Sequence, residues 1–198
     1  TLEDYLEAAK EKHETQVFYV TDEVQQAQYI NMFKEQGMDA VILKHPIDQP
    51  FISVLEGDDE NLKFHRIDTD LSDVFKEEVS EEDSKVLEEN TKTLTEIFKK
   101  ALGRENLEVK VEKLKNAETS SMITLKEESR RMQDMMKMYG MTDMSMFGNE
   151  GETLILNANH TLVKYILEHG EGEHTDIICQ QLYDLALLSH KPLEAAAL

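Results

Sequence analysis

The sequence lacks the features that mark secreted and membrane-spanning proteins. Its 198 residues contain one cysteine, Cys179, so no internal disulfide can form and the chain suits a reducing compartment. No apolar run approaches the roughly 18–20 residues that span a bilayer. No signal peptide is recognisable after Thr1. These absences together predict a cytoplasmic protein.

Positive charge is also scarce in this sequence. It has 21 Lys and Arg residues against 41 Asp and Glu residues, which gives a formal net charge of −20. Nucleic acids and anionic membranes are bound by Lys and Arg side chains that neutralise phosphates. We therefore expect neither nucleic acid nor membrane as a partner. The 40% of hydrophobic residues recur with regular periods, which predicts a folded chain.

The first 70 residues show the pattern of a small α/β domain. Val17–Val20 and Ala40–Leu43 are β-branched apolar runs typical of buried strands. Between them, Asp22 suits a helix N-cap and Gly37 suits the end of that helix. A strand, a helix and a strand this close together predict a parallel βαβ unit. Further elements are predicted at Leu2–Lys12, Phe51–Leu55 and Leu62–Ile67, completing a three-layer α/β unit.

From about residue 71 the pattern changes to that of an α+β domain. An acidic linker over 68–82 leads to a helix that begins at Ser80, in a capping-box sequence, and ends at Gly103. A three-stranded sheet and two later helices are expected, with the first two strands joined as a hairpin and the first of these helices capped by Asn157–Asn159. The strands are predicted at Leu107–Leu114, Ser121–Leu125 and Thr153–Leu156, and the last helix at Asp176–Ser189.

Motifs for catalysis and for nucleotides are missing. The turn after Val20 reads TDE, without the glycine that lets a backbone approach a pyrophosphate, and neither a Walker-type motif nor a GxSxG elbow occurs. Cys179 lies on an amphipathic helix, where a buried thiol is the common case. The sequence predicts no catalytic residue and no bound cofactor.

Two acidic segments resemble metal sites only partly. Asp68, Asp70 and Ser72 occupy the first positions of a calcium loop, but Asp73 replaces the required glycine. His169 and His174 lie in EHGEGEH, whose spacing matches no zinc-protease pattern. We predict no metal ligand from either segment.

Methionine is concentrated in one place. Seven of the ten methionines lie within the eighteen residues of Arg130–Phe147. On a helix, Met132, Met135, Met136 and Tyr139 recur at i, i+3, i+4 and i+7, within one arc of about 100°. Other apolar stripes of the chain use Leu, Ile, Val and Phe. Methionine is unbranched and adapts to many shapes, so we interpret the arc as a binding surface.

Two other interpretations of the methionines stay open at this point. The arc is a core stripe if its side chains pack inside the domain. It belongs to a metal or redox module if the thioethers and the EHGEGEH loop bind a soft ion such as Cu(I).

Several short segments of the sequence, in chain order, resemble segments of one protein family. They are VFYVTD, EQGMDAVILKHPIDQPF, VEKLKNAETSSMIT, RRMQDMM and LNANHTLVK. They resemble the ninety-kilodalton heat-shock chaperones and are most similar to the bacterial HtpG type, along essentially the whole chain. The chain begins on Thr1 and ends in mid-pattern with LEAAAL, so we expect a fragment of a longer protein.

The resemblance implies a domain organisation. Residues 1–70 would be the last α/β subdomain of the middle domain, and 71–198 most of the carboxy-terminal domain. The ATPase domain, with its ATP and Mg²⁺, would belong to the full-length parent. The fragment itself would be a non-enzymatic part of a molecular chaperone.

The resemblance also implies client-binding residues. Residues 127–139 match the family's amphipathic client helix, which places Met132, Met135 and Met136 on it. The wider predicted set adds residues that follow the arc: Met138, Tyr139, Met141, Met144, Met146 and Phe147. In the middle domain the family's acid–aromatic client pair falls on Gln49 and Pro50, so we expect the neighbouring Phe51 to serve instead, with Ser53 at the family's polar position.

Homodimerisation is the last implied property. In the family, the last two helices of each protomer form a four-helix bundle. Asp176–Ser189 matches the first, and the residues predicted at the interface are Ile178, Leu182, Leu185 and Leu188. The second helix would begin near Pro192–Leu198, so we expect pairing in the full-length protein and not in this fragment.

Overall fold

The computed structural model describes residues 2–9, 15–69, 75–126, 129, 131–132, 135–136, 151–170 and 172–190. The chain is a mixed α/β protein that divides into two compact units, Thr1–Thr69 and Asp70–Leu198. Among the described helices, none is long and apolar enough to cross a membrane.

The first unit is built on a parallel sheet. Its elements are α1 (Leu2–Ala9), β1 (Gln16–Val20), α2 (Ala27–Glu35), β2 (Val41–Ile42), α3 (Asp48–Asp58) and β3 (Lys63–Arg66). The strands lie in the order β2-β1-β3, and β1 pairs in parallel with both neighbours. The predicted parallel βαβ unit is confirmed.

Helices pack on both faces of this sheet because successive residues of β1 alternate between the faces. Val17 and Tyr19 join a core with Ile52 and with partly buried residues of α1. On the other face the Phe18 ring meets the Phe33 ring of α2 edge-on, with centroids 5.0 Å apart.

The start of α2 differs from the prediction. The helix begins at Ala27, after a turn in which Asp22 Oδ1 accepts hydrogen bonds from the backbone N–H groups of Val24 and Gln25. Asp22 therefore caps a turn, and Val24 is exposed outside the core. The predicted end is confirmed, since Gly37 has a φ of +60°.

The edges of the first unit also differ from the prediction. Strand β2 is an edge strand with Ile42 exposed, so the expected burial of this run is wrong. The third helix starts at Asp48, three residues before Phe51, and Asp48 Oδ2 accepts a 2.8 Å hydrogen bond from the His45 N–H.

The residues just after β3 differ from the predicted acidic linker. Asp68, placed in a solvated acidic stretch by the sequence, is buried. Its carboxylate accepts two hydrogen bonds from Arg66, of 2.5 and 2.9 Å. A bidentate arginine pair of this kind satisfies a buried carboxylate without any ion.

The second unit packs helices against a mixed sheet. Its elements are α4 (Glu81–Leu102), β4 (Glu108–Glu112), β5 (Ser121–Leu125), β6 (Glu152–Asn157), α5 (Thr161–Glu168) and α6 (Thr175–His190). The core lies between α4, α5, α6 and one face of the sheet. Leu94, Phe98, Leu156 and Leu182 are fully buried there.

The expected hairpin between β4 and β5 is wrong. The strand order is β4-β6-β5, with β6 parallel to β4 and antiparallel to β5. The alternation of each strand predicted its existence but carried no information on which strand would be central. Strand β6 takes the centre because it is apolar over Leu154, Ile155 and Leu156, which are all buried.

Asn157 holds this arrangement together from a position predicted as a helix cap. Its fully buried side chain accepts a hydrogen bond from the Leu114 N–H and donates to the carbonyls of Asn116 and Thr119. It thus fixes the loop between β4 and β5 across the end of β6. The cap of α5 is instead His160, whose Nδ1 accepts from the Leu162 N–H at 3.3 Å.

Helix α4 begins and ends as predicted. Ser80 Oγ accepts a 3.1 Å hydrogen bond from the Asp83 N–H, and Gly103 ends the helix with a φ of +62°. The apolar stripe is buried at Leu87, Leu94 and Phe98. Val86 is an exception, because its side chain lies on the solvent side.

Candidate binding surface

The described methionines of the predicted arc lie on helical backbone after β5. Residues 129, 131, 132, 135 and 136 are helical. Met132 and Met135 are 54% and 53% exposed, and Met136 is half-buried. Residues three and four apart lie on the same side of a helix. The three side chains, which we call the methionine surface, therefore form one apolar patch that is largely open to solvent.

The start of this helical segment is held close to the sheet. The backbone N–H of Lys126, just after β5, donates to the Gly151 carbonyl at 3.1 Å. Gly151 has a φ of +87°, and a Cβ added there would come within 2.2 Å of Ser129 Oγ. Only glycine allows this close approach of Ser129, at the start of the helical segment, to the residue that precedes β6.

The other residues of the predicted client-binding set in this segment cannot be placed on the methionine surface. Met138, Tyr139, Met141, Met144, Met146 and Phe147 lie outside the described residues. Their membership of a binding surface stays a prediction.

Phe51 belongs to a second exposed apolar patch. It is 53% exposed on α3, and Ile47 and Val54 beside it are exposed to a similar or greater extent. The three follow each other at i, i+4 and i+7, the spacing of one helix face. Ile47 was missed because the sequence pattern started this helix at Phe51 itself, and Val54 was missed although it lies within the predicted helix.

The predicted interface residues of α6 divide between surface and core. Leu185 and Leu188 are exposed, and Ile178 packs partly buried against the core. Leu182 differs from the prediction, because its side chain is fully buried in its own unit and its carbonyl accepts a 2.7 Å hydrogen bond from Ser121 Oγ. Ile177, which is 63% exposed, joins the outer face and was missed.

Cys179 is buried, as predicted. Burial, with a smaller contribution from the charge of Asp176, raises the pKa of its thiol to about 12. A thiol with this pKa carries almost no thiolate at neutral pH, so Cys179 is a core residue and a poor nucleophile.

Most N–H groups of the turn after β1 are hydrogen-bonded within the turn. The N–H groups of Thr21 and Asp22 donate to Gln26 Oε1, and those of Val24 and Gln25 donate to Asp22 Oδ1. A phosphate site needs such N–H groups pointing at the ligand. Here they are satisfied within the turn itself.

The EHGEGEH loop is organised by its own contacts. The His169 ring stacks on Tyr165 with centroids 4.3 Å apart, and the His169 carbonyl accepts from Thr175 Oγ1 at 2.6 Å. Within the described part of the chain, which omits Glu171, no three His, Cys, Asp or Glu side chains are grouped as for a metal ion.

Comparison with known proteins identifies the family. The sequence profile described as Hsp90 protein matches residues 1–191. The chain belongs to the Hsp90 family. Its relatives in this family carry the name chaperone protein HtpG, which confirms the resemblance drawn from the sequence segments.

Three HtpG proteins show how far the similarity extends. Those of Bacteroides fragilis strain 638R and Porphyromonas gingivalis strain W83 are 31% and 29% identical to this chain over 163 and 165 residues. These alignments cover 78% and 80% of this Hsp90-family chain and 23% of each relative. The HtpG of Chromobacterium violaceum is 26% identical over 197 residues, covering 96% of this chain and 30% of that protein. The chain thus spans about a quarter of its relatives' length.

Proposed function

We propose that this chain binds partly folded client proteins through the methionine surface, as part of an HtpG-type chaperone. The half-exposed side chains of Met132 and Met135 carry this proposal. A core stripe would leave these side chains buried, as it does in α4 of the same unit. Membership of the Hsp90 family supports a chaperone role.

The chemistry of methionine suits a surface that meets many partners. Its thioether chain has three soft torsions, so it fits varied apolar shapes without a fixed mould. A partly folded protein exposes such apolar shapes before its core closes. Contact with them would remove Met132 and Met135 from water, which stabilises the complex by about 25 cal/mol per Å² of apolar surface.

Phe51 supports a second client contact in the first unit. With Ile47 and Val54 it presents an apolar face on α3. This aromatic-centred patch differs chemically from the flexible methionine surface. We assign it the role of the family's middle-domain client patch, in the place of the acid–aromatic pair that this sequence lacks.

Homodimerisation is proposed for the full-length protein. The exposed Leu185 and Leu188, together with Ile177, leave an apolar outer face on α6. Pairing through this face would bring two client-binding surfaces together and raise their effective concentration for one client. ATP and Mg²⁺ would be bound by the parts of the parent outside this chain, in the cytoplasm. In this proposal, residues 1–70 are the end of the middle domain, and residues 71–198 are the carboxy-terminal domain without its final helix.

The double substitution Met132→Gln and Met135→Gln tests the client proposal. Binding of a reduced, alkylated protein that cannot refold should weaken about thirtyfold, because two apolar contacts of about 1 kcal/mol each are lost. The urea midpoint should stay within the error of the measurement, since both side chains are exposed.

Val86→Gln is the matched control. It removes an apolar side chain of similar exposure, 53%, from α4. It should leave client binding unchanged. A large drop of the urea midpoint in the methionine double variant, or unchanged client binding, would contradict the proposal.

Sedimentation compares this chain with one extended beyond Leu198. The longer chain should form a dimer and the shorter one should not. A stable dimer of the 198-residue chain would show that α6 pairs without a further helix.

A further inference from the structure

A groove on the second unit has a chemistry opposite to that of the molecule as a whole. It has a volume of about 570 Å³ and lies along the outer strand β4, where Thr95 and Lys99 of α4 line it on one side and Thr124 and Ile155 of the sheet line it on the other. Among its described lining residues, four lysines outnumber two glutamates. The lysines are Lys76, Lys99, Lys110 and Lys126. A local excess of positive charge stands out on a chain with a formal charge of −20.

The lysines are paired loosely enough to exchange partners. Lys110 Nζ lies 2.8 Å from Glu112 Oε1, and Lys126 Nζ lies 3.4 Å from Glu108 Oε2. Both lysines are more than half exposed. Exposed ion pairs contribute little net stability, so carboxylates of a ligand can replace or share these partners at small cost.

The groove also reaches an open edge of the sheet. Among the described strands, β4 pairs with β6 alone, and the N–H of Val111 points outward, where Thr91 Oγ1 of α4 accepts it at 3.1 Å. Backbone direction repeats every second residue along a strand, so the N–H and C=O of Val109 also point outward. Val109 lines the groove. Among the described residues, no side chain or loop carbonyl accepts a hydrogen bond from its N–H.

The floor of the groove, beneath the lysines, is almost fully buried. Ile155 and Thr124 line it and are 4% and 3% exposed. A groove with a buried floor of mixed polarity, an outward-facing strand edge and lysines along its walls matches an extended peptide better than a compact anion. Strand addition supplies backbone hydrogen bonds, and the walls select the side chains.

We propose that this groove, here called the lysine groove, binds an extended acidic peptide segment of another protein. The segment lies along β4 at Val109, and its carboxylates meet Lys99, Lys110 and Lys126. Glu108 and Glu112 remain within the groove, which disfavours densely charged polyanions such as polyphosphate. The lysine groove uses charge where the methionine surface uses apolar contact, so this inference does not rest on the client proposal.

Fluorescence anisotropy with a labelled ten-residue peptide of alternating Glu and Val tests the proposal on the 198-residue chain. We expect saturable binding that weakens as salt is raised, because the contacts are between exposed charges. A peptide of alternating Gln and Val should bind at least tenfold more weakly. The double variant Lys110→Glu and Lys126→Glu should lose at least tenfold in affinity for the acidic peptide.

The control reverses two exposed lysines elsewhere, with Lys100→Glu and Lys164→Glu. It changes the net charge by the same amount outside the groove, so the affinity should fall less than twofold. Equal loss in the two double variants would show attraction to charge in general and overturn the proposal. Absence of binding, or equal affinity for the Gln/Val peptide and the Glu/Val peptide, would also overturn it. So would binding of polyphosphate, if Lys110→Glu with Lys126→Glu weakened that binding as much as it weakens binding of the acidic peptide.

Discussion

Met122 and Met132 lie ten residues apart in the second unit and have opposite environments. Met122, the second residue of β5, is 0% exposed, while Met132, on the helical segment after that strand, is 54% exposed. The two side chains are chemically identical. Their positions decide which one stabilises the fold and which one is available to a partner, so methionine content alone indicates neither role.

The first way to sharpen this comparison is Met122→Ala. We expect a loss of about 2–5 kcal/mol in the free energy of unfolding, because a fully buried methionine leaves a cavity when it is truncated. Urea denaturation measures it, with Met132→Ala beside it as the exposed counterpart. Equal losses for the two variants would mean that the methionine surface is part of the core.

Asn157→Ala extends the comparison from apolar to polar side chains. The substitution leaves the buried Leu114 N–H without its acceptor and two carbonyls without their donor. The expected loss is about 1–3 kcal/mol. Asn106→Ala, at an exposed turn position, should cost much less. A loss as small as that of Asn106→Ala would contradict the assigned role of Asn157 in fixing the β4–β5 loop.

A smaller effect is expected from pH at the start of α5. His160 Nδ1 accepts the Leu162 N–H, and burial lowers the pKa of this histidine below its usual 6.5. The neutral form is therefore favoured in the folded state, and its contribution is present above pH 6.5 and is lost as pH falls through the folded pKa. We expect a loss of about 0.5 kcal/mol, the low end for an N-cap.

The control for this effect is His160→Asn, which caps the helix at every pH. The urea midpoints of the two proteins are compared at pH 8 and at pH 5.5. Titration of the other histidines and of the carboxylates affects both proteins equally, so its contribution cancels in the difference. The difference between the proteins should grow at pH 5.5 in favour of the variant. A difference independent of pH would rule out the titrating cap.

Residue type and local spacing predicted most of the helices and strands, but they did not predict the order of the strands in the second sheet. The Ser80 cap, the Gly103 end and the parallel β1–β2 pair follow from residue type and spacing, and the structure confirms them. The central place of β6 and the burial of Asn157 depend on contacts between residues far apart in the sequence. No local pattern carries that information.

The candidate surface was predictable to a similar degree. Helical spacing and residue type pointed to Met132, Met135 and Phe51, which are exposed. The same spacing could not show which side of α6 faces the core. The predicted interface therefore included Leu182, which is buried, and omitted Ile177, which is exposed. Hydrophobic periodicity identifies an apolar face and does not tell whether its own domain or a partner covers it.

The most direct test of the central claim is NMR of the chain with 13C-labelled methionine methyl groups. Adding the reduced, alkylated client should shift or broaden the signals of Met132 and Met135, while those of the buried Met32, Met38 and Met122 stay in place. Perturbation of the buried methionines alone, with Met132 and Met135 unchanged, would contradict a methionine surface that binds clients.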